Sequence, residues 1–136
     1  MSTNEPITIF AHSHGGNVAI EAINTMVNME EFKDRKINLV TINTPVRKDY
    51  QLSNDAKSKV NHINIYDEKD PVQINGGNST TILKNYPSSL KETGEYGKAK
   101  RIFKGAQNIS VDNPKGIFFD FHNSHNLPQD WIHKIK

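Results

Sequence analysis

Residues 7–23 read ITIFAHSHGGNVAIEAI, and this stretch decides the fold. Its first six residues are mostly apolar and β-branched, which predicts a short buried strand over Ile7–His12. Gly15 and Gly16 interrupt that pattern, and apolar residues at helical spacing follow. The apolar face expected for this helix consists of Val18, Ala19, Ala22, Ile23, Met26 and Val27. The stretch therefore predicts a strand, a tight turn and a helix.

The rest of the chain continues the alternation of strands with longer connections. We predict further strands over Ile37–Asn43, Val60–Tyr66 and Ala106–Val111, and a short helix near the C-terminus that contains Leu127, Trp131 and Ile135. Residues 74–104 lack clear periodicity and are interpreted as an irregular excursion that could act as a lid. This order predicts one α/β domain over residues 1–136, with a mostly parallel sheet flanked by helices.

Composition excludes several functional classes. The chain has 136 residues and no cysteine, so disulfides, a cysteine nucleophile and cysteine metal ligands are unavailable. The net charge of +2 argues against a dedicated nucleic-acid binder, and no apolar run is long enough to cross a membrane. The N-terminus lacks the basic and apolar regions of a signal peptide. We expect a cytoplasmic protein as encoded, with delivery as part of a larger protein left open.

The serine between two histidines is the strongest functional signal. A strand followed by x-Ser-x-Gly and a helix is the pattern of a nucleophile elbow, in which the serine occupies a strained turn. The residues two before and two after it must be small, and here they are Ala11 and Gly15. Such a turn would place the Ser13 hydroxyl at a helix N-terminus, where the backbone N–H of His14 could stabilise an oxyanion. The simpler interpretation of Ser13 is a helix cap.

A serine nucleophile requires a base and a carboxylate that orients it. In this topology the expected chain order is serine, acid, histidine. Asp67 and Asp70 follow the third predicted strand, and His122 and His125 precede the C-terminal helix. All four lie in loops at the carboxyl ends of parallel strands, where the chain would bring them together. Position alone leaves both pairs open, and Asp70 before proline also suits a simple turn.

Four segments together resemble α/β-hydrolases, especially the lipase-like members. They are ITIFAHSHGGNVA (7–19), LVTINTPV (39–46), INIYDEKDPVQ (63–73) and HNSHNLPQDW (122–131). The resemblance implies a serine hydrolase that cleaves carboxylic esters, with Ser13 as nucleophile, Asp70 as acid and His125 as base. It implies no cofactor and no metal. A weaker similarity connects the chain to the lipase-like tails of bacterial Rhs-type polymorphic toxin proteins.

The sequence departs from this family at three places. Ala11 and Asn43 replace two glycines of the family pattern, and only six residues precede the elbow strand. In the family that strand is central, and an upstream loop supplies a second oxyanion donor, whose loss typically costs about 10²–10³-fold in turnover. We therefore expect an unpaired apolar edge that a homo-oligomer, or a partner chain supplying an N-terminal half, would cover. The alternative function is a weak or inactive hydrolase remnant.

Zinc binding and acyl transfer are two further interpretations that compete with ester hydrolysis. His12, His14, His122 and His125 could ligate zinc, but the metallo-hydrolase pattern requires Asp and His at positions 16 and 17, which are Gly and Asn. Acyl transfer would use the same triad. The basic segment within residues 84–104 is more simply a solvated surface than a contact for anionic lipid headgroups. His62 is expected to be a structural surface residue.

Overall fold

The computed structural model describes residues 5–68, 70, 73 and 99–111. Its elements in chain order are β1 (Ile7–His12), α1 (Gly15–Met26), a 3₁₀ turn (Glu30–Phe32), β2 (Ile37–Ile42), α2 (Asn54–Lys59), β3 (Val60–Asp67) and β4 (Gln107–Val111). The four strands form one sheet in the order β1-β2-β3-β4, and every pair is parallel. The predicted α/β class, the parallel sheet and all four strands are confirmed, with strand ends differing by one residue.

The sheet separates two apolar clusters. On one face, α1 packs against β1 and β2 and α2 packs against α1 and β3, and Ile20, Ile23, Leu39 and Ala56 are almost completely buried there. The other face carries six buried aliphatic side chains of β2, β3 and β4: Val40, Ile42, Ile63, Ile65, Ile109 and Val111. β2 therefore contributes apolar side chains to both clusters, as is typical of a parallel strand covered on both faces, whereas β3 carries the polar residues His62 and Asn64 on the face opposite Ile63 and Ile65.

Helix α1 is amphipathic, but its buried face is rotated from the predicted one. Ile20 is fully buried, whereas Val18 is 69% exposed and Ala22 is exposed. The prediction was wrong at these positions because the buried face starts from Gly16, which packs against the chain after β2. Residues 16, 19, 20, 23 and 27 then face the core, at the helical spacing of three and four.

Helix α2 was not predicted, because it is six residues long and almost entirely polar. Its signal is local: the Ser53 hydroxyl accepts a hydrogen bond from the Ala56 N–H at 3.1 Å, which caps the helix. Ala56 is its one buried residue. A sequence pattern needs more than one buried position before its period can be recognised.

One predicted segment and most of another lie outside the described residues. These are the C-terminal helix and positions 74–98 of the proposed lid. The last part of the lid segment is described, and Lys100 forms an antiparallel bridge with Val46. Among the residues that the structure describes, no helix is long and apolar enough to cross a membrane.

Candidate active site

Ser13 occupies a sharp turn between β1 and α1. Its φ is 55°, in the left-handed region that costs a non-glycine residue roughly 1–2 kcal/mol. The Ser13 N–H still donates to the Ile42 carbonyl at 2.9 Å, and the Ser13 carbonyl already accepts from the Gly16 N–H at 3.0 Å. One residue therefore closes the strand ladder and opens the helical turn. The strained backbone conformation at Ser13 therefore lies at the position that the elbow pattern requires.

Gly16 allows the helix to begin against the end of β2. A Cβ atom at this position would lie 2.1 Å from Thr44 Oγ1 and 2.5 Å from Thr44 Cγ2, which no side chain can occupy. A Cβ atom at Gly15 would meet nothing within 4 Å. The two adjacent glycines thus differ in role, and Gly16 is the one that fixes the position of α1 beside Thr44.

The chain after β2 repeats the backbone conformation of the elbow. Asn43 has a φ of 47°, and its N–H donates to the Ile65 carbonyl at 2.8 Å. This is the position where the hydrolase pattern has glycine. Asn is one of the few non-glycine residues that enter the left-handed region readily. The departure at Asn43 therefore keeps the backbone geometry that the glycine would provide.

His14 is the N-cap residue of α1, and its carbonyl accepts from the Asn17 N–H at 3.0 Å. Its backbone thus lies in the first turn of a twelve-residue helix, at the positive end of the helix dipole. The His12 and His14 residues are both exposed. Within the described residues, no group of three His, Cys, Asp or Glu residues could hold a metal ion.

Both candidate acids lie at the carboxyl end of β3 and are buried, Asp67 at 1% exposure and Asp70 at 0%. The Asp70 N–H donates to the Asp67 carbonyl at 3.2 Å, so the two residues form one turn. Asp70 Oδ1 accepts from the Gln73 N–H at 3.2 Å. Asp70 thus has the capping contact of a turn acid, and its burial places the carboxylate within the protein rather than in solvent.

Strand register sets the distance between the serine and the acids. His12 pairs with Ile42, and Ile42 pairs with Ile65, so Ser13 lies level with the residue before Asp67. β1 and β3 are separated by two strand spacings, or about 10 Å. A serine and a carboxylate at these strand ends are too far apart for a hydrogen bond, so another side chain must lie between them. That is the place of the histidine in a triad.

Two scaffold residues of the acid turn were not predicted. Arg101 donates from Nε to the Asp67 carbonyl at 3.1 Å and from Nη2 to the Asp70 carbonyl at 3.0 Å. Gln73 donates from Nε2 to the Thr44 carbonyl at 2.8 Å. The sequence Asp-Pro-x-Gln at 70–73 has the form of a capped turn and could have identified Gln73. No local signal identifies Arg101.

His62 was expected at the surface, and this expectation is wrong. It is only 8% exposed, its Nε2 lies 3.0 Å from Thr41 Oγ1, and its ring packs on Phe103 with 4.8 Å between centroids. Burial lowers the pKa of His62 to about 4. Thr41 Oγ1 also donates to Asn64 Oδ1 at 2.9 Å, so His62 belongs to a buried polar network formed by residues of β2 and β3.

The structure therefore brings Ser13 and His14 to the carboxyl edge of the sheet, together with Asp67 and Asp70. His122 and His125 lie outside the described residues, and their positions relative to Ser13 remain predictions. Comparison with known proteins adds no assignment, because no protein-family model, curated protein or solved structure matches this chain.

Proposed function

We propose that the chain is a serine hydrolase of the lipase or esterase type, which cleaves carboxylic esters. The observation that carries this proposal is the φ of 55° at Ser13, at the junction of a parallel strand and a helix. A helix cap does not need this conformation, since capping residues normally lie in the β region. Ser53, the cap of α2, has the ordinary φ of −60° and ψ of 164°.

In the proposed mechanism the Ser13 hydroxyl attacks the acyl carbon of the ester. His125 accepts the serine proton and passes it to the leaving alkoxide, with His122 as its alternative. Asp70, with Asp67 as its alternative, orients the imidazole. The His14 N–H stabilises the oxyanion, and water then hydrolyses the acyl-enzyme to regenerate Ser13. The reaction uses side chains and one backbone donor, so it requires no cofactor.

A fluorophosphonate probe tests the nucleophile directly. We expect it to label the wild-type chain, and we expect Ser13→Ala and His125→Ala to abolish labelling. Ser58→Ala is the matched control, because Ser58 is an exposed serine on α2. Peptide mapping should place the adduct on Ser13. Labelling that persists in Ser13→Ala, or folded wild-type protein that never reacts, would contradict the proposal.

Acyl transfer remains the related alternative on the same acyl-enzyme. The two reactions differ in the acceptor, which is water in hydrolysis and another hydroxyl or amine in transfer. Incubating an activated ester with and without a primary alcohol separates them. We expect free acid as the main product in both mixtures. Predominant transfer to a dilute alcohol would instead favour an acyltransferase.

The partner proposal concerns β1, which forms one edge of the sheet built by the described residues. Phe10 on this strand is 63% exposed, and β1 carries no lysine or proline that would block pairing. We propose that an added strand, from a second copy or another polypeptide, covers this edge. If activity needs that strand, the isolated chain is the weak hydrolase of the alternative function. Light scattering of the wild type and Phe10→Lys tests self-pairing, which predicts a dimer only for the wild type.

A further inference from the structure

The acid turn at residues 67–70 is held by two residues that are remote from each other in sequence, Arg101 through its side chain and Gln73 through its backbone. Arg101 contributes both bonds of its guanidinium to main-chain carbonyls of this turn, at 3.1 Å to Asp67 and 3.0 Å to Asp70. Gln73 contacts the same turn through its N–H, which donates to Asp70 Oδ1 at 3.2 Å. We propose that Arg101 and Gln73 are positioning residues for the acid, an inference that rests on the proposed hydrolase function.

Arg101 is suited to this role because its own backbone is fixed. The Arg101 carbonyl accepts from Asn64 Nδ2 at 2.8 Å, and Asn64 is a fully buried residue of β3. The preceding residue, Lys100, exchanges two backbone hydrogen bonds with Val46, at 2.8 and 2.9 Å. The guanidinium therefore extends from a segment tied to the sheet. Its planar fork fixes two carbonyls at once, which a single ammonium cannot do.

Gln73 ties the acid turn to the nucleophile side. Its Nε2 donates to the Thr44 carbonyl at 2.8 Å, and Gln73 is completely buried. Thr44 is also the residue against which Gly16 packs. Asn17, on the first turn of α1, donates to the adjacent carbonyl of Pro45 at 3.2 Å. Gln73, beside the acid turn, and Asn17, on the elbow helix, therefore donate to the consecutive carbonyls of Thr44 and Pro45.

These contacts have a chemical consequence. The acid lies on β3, about 10 Å from β1, and must hold the imidazole at one position between itself and Ser13; a displacement of roughly 1 Å can reduce a rate by about 10²-fold. A carboxylate beside the base also favours the imidazolium and raises its pKa. Loosening the turn should therefore lower both the rate and the apparent pKa of the base. A purely structural role would lower the folded fraction and leave that pKa unchanged.

The test compares Arg101→Ala, Arg101→Lys and Gln73→Met with Arg35→Ala. Arg35 is a matched control, because its Nε donates to the Glu5 carbonyl at 3.0 Å, at the amino edge of the sheet. The rate of fluorophosphonate labelling is measured from pH 5 to 9. We expect Arg101→Ala and Gln73→Met to lower the rate about 10²-fold and the apparent pKa of the base by about one unit. Arg101→Lys should lie between them and the wild type, and Arg35→Ala should change neither quantity.

Amide hydrogen exchange at Gln73 gives a readout that does not depend on activity. In Arg101→Ala we expect the Gln73 amide to exchange at least about tenfold faster, while the amides of β2 and β3 exchange at the wild-type rate. Arg35→Ala should change neither. An unshifted pKa in folded Arg101→Ala and Gln73→Met, or unchanged exchange at Gln73 in Arg101→Ala, would overturn the positioning role. A wild type that is never labelled would overturn the proposed function itself, while the exchange experiment would still report whether Arg101 orders the turn.

Discussion

The part of the sheet edge that carries Ser13, the proposed nucleophile, is built differently from the part that carries Asp67 and Asp70, the proposed acids. We call these parts the nucleophile side and the acid side. Ser13 lies in a strained turn at the end of β1, and the close packing of Gly16 on Thr44 positions the helix that follows it. The acid turn is held by side chains from other segments, chiefly Arg101, whose carbonyl accepts from Asn64 in the buried polar network that includes His62. The first arrangement includes a strained backbone conformation, whereas the second depends on buried polar contacts. The two sides should therefore respond to different perturbations.

The largest expected effect is the loss of the carboxylate on the acid side. Asp70→Asn keeps a side chain that caps a turn as well as Asp does, so folding should be preserved. The amide cannot stabilise an imidazolium, and the rate of fluorophosphonate labelling should fall by about 10⁴-fold. Thermal unfolding measured in parallel should show little change.

Asp67→Asn is the control for this prediction, since Asp67 is equally buried and lies in the same turn. Its labelling rate should fall less than about tenfold. If Asp67→Asn proves the more damaging variant, the acid is Asp67 and the preference for Asp70 is wrong. Equal, small effects would show that neither carboxylate serves the base.

Acid should weaken the buried network on the acid side through His62. The pKa of His62 is lowered to about 4 in the folded protein and is 6.5 in the unfolded chain. The unfolded chain therefore binds a proton as the pH falls below 6.5, while folded His62 remains neutral until about pH 4. Stability from this group is complete above pH 6.5 and declines between 6.5 and 4, by up to about 3 kcal/mol.

His62→Gln isolates this contribution, because a glutamine amide can still reach Thr41 Oγ1 without titrating. The free energy of unfolding is measured by urea denaturation at pH 7.5 and at pH 4.5 for both proteins. We expect the wild type to lose about 2–3 kcal/mol more than the variant over this range. Parallel pH profiles for the two proteins would show that His62 is not kept neutral by burial.

The same contrast explains what the sequence could predict. The pattern that predicts the elbow lies within a few positions of Ser13, so the strand, the glycines and the serine are visible in one stretch. Arg101 acts across more than thirty positions and leaves no local pattern. His62 lies on the same face of β3 as Asn64, as the alternation along the strand predicts. Periodicity alone does not show that this face is buried and that Phe103 packs on His62. Long-range polar contacts must be seen in three dimensions.

A smaller effect tests the nucleophile side, through two adjacent glycines. Gly16→Ala places a Cβ atom 2.1 Å from Thr44 Oγ1, and relieving this overlap must displace either α1 or the segment after β2. We expect a loss of about 2 kcal/mol in the free energy of unfolding. Gly15→Ala places its Cβ atom in open space within the same helical turn, and should raise stability by about 0.5 kcal/mol. Urea denaturation of the two variants measures both effects.

Because displacement of α1 also moves the His14 N–H, Gly16→Ala should lower the labelling rate as well, whereas Gly15→Ala should not. Equal behaviour of the two variants would mean that the elbow is not held by the contact of Gly16 with Thr44.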